Sequence, residues 1–86
     1  MSEIQQLRKQ IDKVDEQILK ALGERVKICR AIGAEKRKNG LAVKDASREN
    51  EVYRRMKEKS AKVGLDPGQV EAVYREIVNM CSAVQE

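Results

Sequence analysis

Ile4-Gln5-Gln6-Leu7-Arg8-Lys9-Gln10-Ile11-Asp12-Lys13-Val14-Asp15-Glu16-Gln17-Ile18 brings its apolar residues at alternating steps of three and four. The rhythm continues through Ala21, Ile28 and Ile32, and Leu19, Leu22 and Cys29 widen the stripe. Residues three and four apart share one face of an α-helix, so this segment reads as a single amphipathic helix. Only Gly23 and Gly33 interrupt it before Asn39-Gly40, where it should end. Lys36-Arg37-Lys38 fill the last turn, where cations suit the negative end of the helix dipole.

Outward from that helix, Leu41-Ala42-Val43-Lys44 is a short link to Asp45, a good N-cap for a second helix. Val52, Tyr53 and Met56 fall on one face of it, and it should fade near Lys62-Val63-Gly64. Asp66-Pro67-Gly68-Gln69 then reads as an N-cap, a Pro at the first helical position and a Gln closing a capping box. Val70, Val73, Ile77, Cys81 and Val84 form the expected buried face of the third helix. The fold class is all-α: one long N-terminal helix and two shorter ones, with residues 1–86 as a single domain.

The first helix, about 35 residues at roughly 1.5 Å each, is a rod of about 50 Å. A compact chain of this length has a radius of gyration of only about 12 Å. Two short helices cannot cover a stripe that runs nearly end to end. A homodimer with paired long helices is the simplest cover.

Composition narrows the chemistry. The chain has no His, which removes the commonest general base and metal ligand and every Ser-His or Cys-His dyad. Cys29 and Cys81 make no Cys-x-x-Cys motif, so structural zinc is not expected, and both read as small buried hydrophobes. No metal or cofactor is expected. A net charge of +4 suits an acidic ligand or nucleic acid without choosing between them. The N-terminal stretch lacks a signal-peptide profile and no apolar run could span a bilayer, so a cytoplasmic protein with reduced thiols is expected.

Function should show where polar residues break the apolar stripe. Arg25 takes a core position between Ala21 and Ile28, and a buried guanidinium needs acceptors. Lys36 returns to the same face three turns later, about 16 Å further along the axis, with Cys29 and Ile32 between. Two cations thus bracket an apolar floor and suit a small anion with more than one negative charge. For Lys36 alone, a snorkelling side chain is the blander account. Gln85 extends the apolar face of the third helix, yet as the penultimate residue it also fits a frayed end. Asp45 and Glu49 are explained by capping and the helix dipole. Arg48 at that end is the odd member and strengthens an anion-favouring helix start. Arg37 and Lys38 read as a solvated helix end.

Taken together, these residues resemble the small all-helical chorismate mutases. The likeness lies in Leu7-Arg8-Lys9-Gln10-Ile11-Asp12 with Val14-Asp15, in Leu22-Gly23-Glu24-Arg25, in Lys36 and in Val43-Lys44-Asp45-Ala46-Ser47-Arg48-Glu49. The resemblance implies an intertwined homodimer of three-helix chains that rearranges chorismate to prephenate without a cofactor. It implies that Arg25 grips one substrate carboxylate and that Arg8, contributed in trans, grips the other. Lys36 and Gln85 would donate to the ether oxygen of the breaking bond. Glu49 would hold the ring hydroxyl, Asp45 would contribute at the helix start and Arg48 would support the anion site. Cys81 stands where the family often has a small polar residue against the substrate.

Three other readings stay open beside it. An isochorismate-pyruvate lyase of the same fold would use a similar anion clamp. A non-catalytic helical dimer would bind acidic partners or nucleic acid. Acids interleaved with bases and the lack of an aromatic platform speak against nucleic acid. A plain coiled-coil module would explain the heptad but not Arg25 in the seam.

Overall fold

The computed structural model describes residues 2–86; Met1 lies outside the described residues. Helix α1 runs Glu3–Lys38, α2 runs Ala46–Ser60, and α3 runs Pro67–Gln85. A single 3-10 turn, Ala61–Val63, follows α2. No helix among the described residues is long and apolar enough to cross a membrane.

The ends of the helices follow local chemistry. Ser2 caps α1 through a bond from the Gln5 amide, 3.2 Å long. At the other end Leu41 N–H donates to Lys36 O at 2.8 Å and Gly40 N–H to Arg37 O at 3.3 Å. This is a Schellman ending, and Gly40 sits at φ 67°, where a Cβ would be strained. Gly64, at φ 74°, ends the 3-10 turn in the same way. Asp66 caps α3 through the Gly68 amide at 3.2 Å, with Pro67 at the first helical position.

Helix α3 packs against both α1 and α2, which barely touch each other. Val52 and Tyr53 of α2 meet Val78 of α3 in a small core, with Met56 and Tyr74 against it. Charge reinforces that seam. Glu71 pairs with Lys57 across the helices at 2.5 Å and with Arg75 at 2.8 Å, and the Arg75 guanidinium lies 4.5 Å from the centre of the Tyr53 ring. The two cations hold the Glu71 carboxyl below the usual carboxylate range.

One expectation is corrected. Val73 is 59% exposed, whereas Val78, Cys81 and Gln85 are buried on α3. The inward row is Tyr74, Val78, Cys81 and Gln85, spaced four, three and four. Val73 stands about 100° from Tyr74 on the helix, at the far edge of the apolar sector. The sector is wider than one row, and the groove between α1 and α2 admits the row that can also seat the Gln85 amide.

The outcome is an elongated chain, 57 × 24 × 15 Å, with a radius of gyration of 16.3 Å. Every residue of α1 from Glu3 to Lys20 is exposed. Ile4, Leu7, Ile11, Val14 and Ile18 remain at least half exposed.

Candidate functional site

At the other end of α1, Arg25, Cys29, Ile32 and Lys36 share one face. Val78, Cys81, Ser82 and Gln85 of α3 stand opposite. The link after α1 and the first turns of α2 add Val43, Asp45, Arg48, Glu49 and Val52, and together these residues line an open-sided cavity of about 250 Å³.

Arg25 is half-buried at one end. Its Nη1 donates to Cys81 Sγ at 2.7 Å and lies 3.9 Å from Cys29 Sγ. Both thiols are buried, at 8% exposure for Cys29 and 4% for Cys81. Burial, then the Cys81 thiol, pushes the Cys29 thiol up from its ordinary value, and nearby Arg25 opposes this only in part. Cys29 is thereby kept neutral, part of the floor rather than a counter-ion.

Lys36, also half-buried, marks the other end. Its Nζ donates to Val43 O at 2.7 Å and to Gln85 Oε1 at 3.0 Å. The Schellman turn after Lys38 folds the link back and so delivers the Val43 carbonyl. An ammonium has three protons, so one is left to donate. Lysine can only donate, which fixes the Gln85 amide with its oxygen on Lys36 and leaves its NH2 as a donor. Among the described residues neither Arg25 nor Lys36 has a carboxylate partner. Two half-buried cations without acids, across an apolar floor, leave uncompensated positive charge at both ends of the cavity, a charge pattern complementary to a small anion.

The remaining predicted residues take graded positions. Glu49 has its side chain 19% exposed and accepts from Lys44 Nζ at 3.2 Å, at the cavity wall. Asp45 Oδ1 caps α2 by accepting from the Arg48 amide at 3.0 Å, so its carboxylate is committed to the helix start. Arg48 lines the cavity, while its Nη1 pairs with Glu51 at 2.9 Å in solvent. Arg8 lies on the exposed half of α1 and does not line the cavity. Every site residue expected from the sequence is therefore brought to one cavity except Arg8.

Of the two sequence readings of Gln85, the structure agrees with the one that extends the buried face: it is 9% exposed and α3 continues through it rather than fraying. One sequence expectation is corrected: Arg37 is not a merely solvated cation, because its Nη1 donates to Gln85 O at 2.6 Å. The Val43 carbonyl, Ser82 and Gly33 are contributors that sequence reasoning misses. A Cβ built on Gly33 would lie 2.9 Å from Gln85 Cα, so α1 and α3 touch here backbone to backbone. A glycine in mid-helix is the available signal for that approach.

The sequence profile of the family described as Chorismate mutase type II matches residues 7–86. The bifunctional chorismate mutase/prephenate dehydratase of Aquifex aeolicus (strain VF5) is 35% identical over 89 residues, covering 100% of this chain and 25% of that protein. The chain thus spans about a quarter of the length of that relative. A conserved hypothetical protein from Pyrococcus furiosus superposes with a TM-score of 0.83 at 32% identity, covering 100% of this chain and 99% of the other.

Proposed function

The chain belongs to the type II chorismate mutase family, and from that premise we propose that residues 1–86 form one catalytic domain that rearranges chorismate to prephenate in the cytoplasm, as a step of aromatic amino-acid biosynthesis. The observation that carries the reading is the pair Arg25 and Lys36, two half-buried cations without acid partners at the two ends of a floor of Cys29, Ile32 and Val78, with the Gln85 amide held on Lys36. In this rearrangement the ether C–O bond breaks as a C–C bond forms within one molecule. It requires no nucleophile, metal or proton transfer. It requires a flexible dianion held in a reactive chair and a donor where charge grows on the ether oxygen. Arg25 binds one carboxylate. The free proton of Lys36 and the Gln85 NH2 meet the ether oxygen, and Glu49 accepts from the ring hydroxyl. Asp45 holds the start of α2, Arg48 adds positive potential at the wall, and Cys81 packs against the substrate while seating Arg25.

The second carboxylate is assigned to Arg8 of the partner subunit in a homodimer. Arg8 and Arg25 are 17 positions apart, about 25 Å along α1 and turned by roughly 100°, so one chain cannot bring both to one site. An antiparallel second α1 crossing near Glu16-Gln17 sets each Arg8 beside the other chain's Arg25. The exposed stripe from Ile4 to Ile28 is centred on that same point, which supports the pairing. The cavity of about 250 Å³ is small for a ligand site, in keeping with a wall still to be added by the partner.

The test is loss of chorismate absorbance with purified protein, followed by identification of the product, with isochorismate run in parallel. Prephenate should form, and Arg25→Ala should lower kcat/KM by roughly 10²–10³, the scale of losing an oxyanion donor. Turnover of isochorismate alone would move the reading to a lyase of this fold. Near-normal turnover in Arg25→Ala would remove the anion assignment.

A further inference from the structure

Gln85 is held from three positions of α1. Lys36 and Arg37 lie three and four residues beyond Gly33 and so flank it on the same side of the helix. Gly33 admits the Gln85 main chain to a distance no side chain would permit. Lys36 grips the amide oxygen at 3.0 Å, and Arg37 Nη1 grips the main-chain carbonyl at 2.6 Å. That carbonyl belongs to the last turn of α3, where carbonyls lack partners within the helix and the dipole favours a cation. Without Arg37 the turn would be free to open, and the amide, whose direction depends on the backbone beneath it, would lose its aim.

We infer that Arg37 is a positioning residue for the reaction: it fixes the main chain of Gln85 so that the side-chain NH2 points into the cavity. Arg37 does not line the cavity, so it acts through Gln85 rather than on substrate. This inference rests on the mutase reading for its kinetic consequence, but its structural half stands apart from it.

The experiment uses the full chain with Arg37→Ala and Arg37→Lys, each in the wild-type and Gln85→Ala backgrounds. In the wild-type background Arg37→Ala should lower kcat by about tenfold, the loss of one charge-assisted hydrogen bond, with KM changed by less than about twofold. Arg37→Lys, which keeps a donor and a charge, should recover most of it. In the Gln85→Ala background Arg37→Ala should change kcat by less than about twofold, because the two residues act as one unit. An equal loss in both backgrounds, or a change in KM alone, would overturn the inference in favour of a general electrostatic or folding role. Amide hydrogen exchange over residues 82–86 gives a readout independent of substrate. Arg37→Ala should speed it by about tenfold, and unchanged exchange would overturn the inference whatever the activity. Faster exchange in a protein that never turns over chorismate would instead locate the failure in the mutase reading.

Discussion

The two halves of α1 carry the same three-four apolar rhythm and meet different surroundings. From Glu3 to Lys20 every residue is exposed. From Leu22 to Lys36 the helix lies against α3, buries Cys29 and Gly33, and half-buries Arg25 and Lys36. The covered half has partners for its polar atoms: thiols for Arg25, a carbonyl and an amide for Lys36. The bare half presents a row of aliphatic side chains, with Arg8 beside it. Periodicity therefore reports that a face is meant to be buried, and only the neighbours decide what buries it. On the proposed function, the covered half builds most of the site and a second copy seated on the bare half would complete it.

The largest effect of a single substitution is expected on the bare half. Ile11→Lys places two charges, one per chain, into the proposed seam. Losing about 2 kcal/mol of burial at each of two positions should weaken association by roughly 10³-fold. Sedimentation should then find monomer at concentrations where the wild type is a dimer, with activity lost alongside. An unchanged association state would mean that the bare stripe serves some other partner.

A smaller effect contrasts glycines within one helix. A Cβ added at Gly23 would meet nothing within 4 Å, whereas one at Gly33 would meet the Gln85 backbone. Gly23→Ala should stabilise by about 0.5–1 kcal/mol through helix propensity alone. Gly33→Ala should forfeit that gain and destabilise by about 1 kcal/mol or more through overpacking. Urea denaturation of both variants checks the sign, and matching stabilisation would show that the α1–α3 contact is slack.

The smallest expected effect is on pH. The Cys29 thiol is raised above its ordinary 9.0 in the folded chain, mainly by burial. The unfolded chain thus loses that proton first, and the stabilising contribution, complete below pH 9.0, declines as pH rises past it. Denaturation midpoints should fall more steeply across that window in the wild type than in Cys29→Ala. Parallel slopes would mean that the thiol is not desolvated.

Much of the molecule is legible in its residues, for physical reasons that differ from one to the next. Gly40 and Gly64 announce the helix ends because left-handed backbone favours glycine. Arg25 and Lys36 stand out because a charge inside an apolar stripe costs energy unless something satisfies it. Arg37 escapes notice because its sequence context, a basic run at a helix end, is indistinguishable from ordinary solvation. Gln85 reads two ways, as part of the apolar face or as a frayed end, because fraying is decided by tertiary contacts that local sequence does not contain. The Val43 carbonyl is main chain, and main chain carries no residue-type signal at all. The α3 face is drawn toward Val73 because its apolar sector is broad, and packing against two neighbours chooses among its rows.

The most direct test of a site assembled from two chains is to mix Arg8→Ala with Arg25→Ala. Each variant alone should be nearly inactive. After subunit exchange about half of the dimers are hybrids, and each hybrid has one site with both arginines and one with neither. The mixture should therefore regain about a quarter of wild-type activity. No recovery, with exchange verified by mass-labelled subunits, would contradict a site shared between chains.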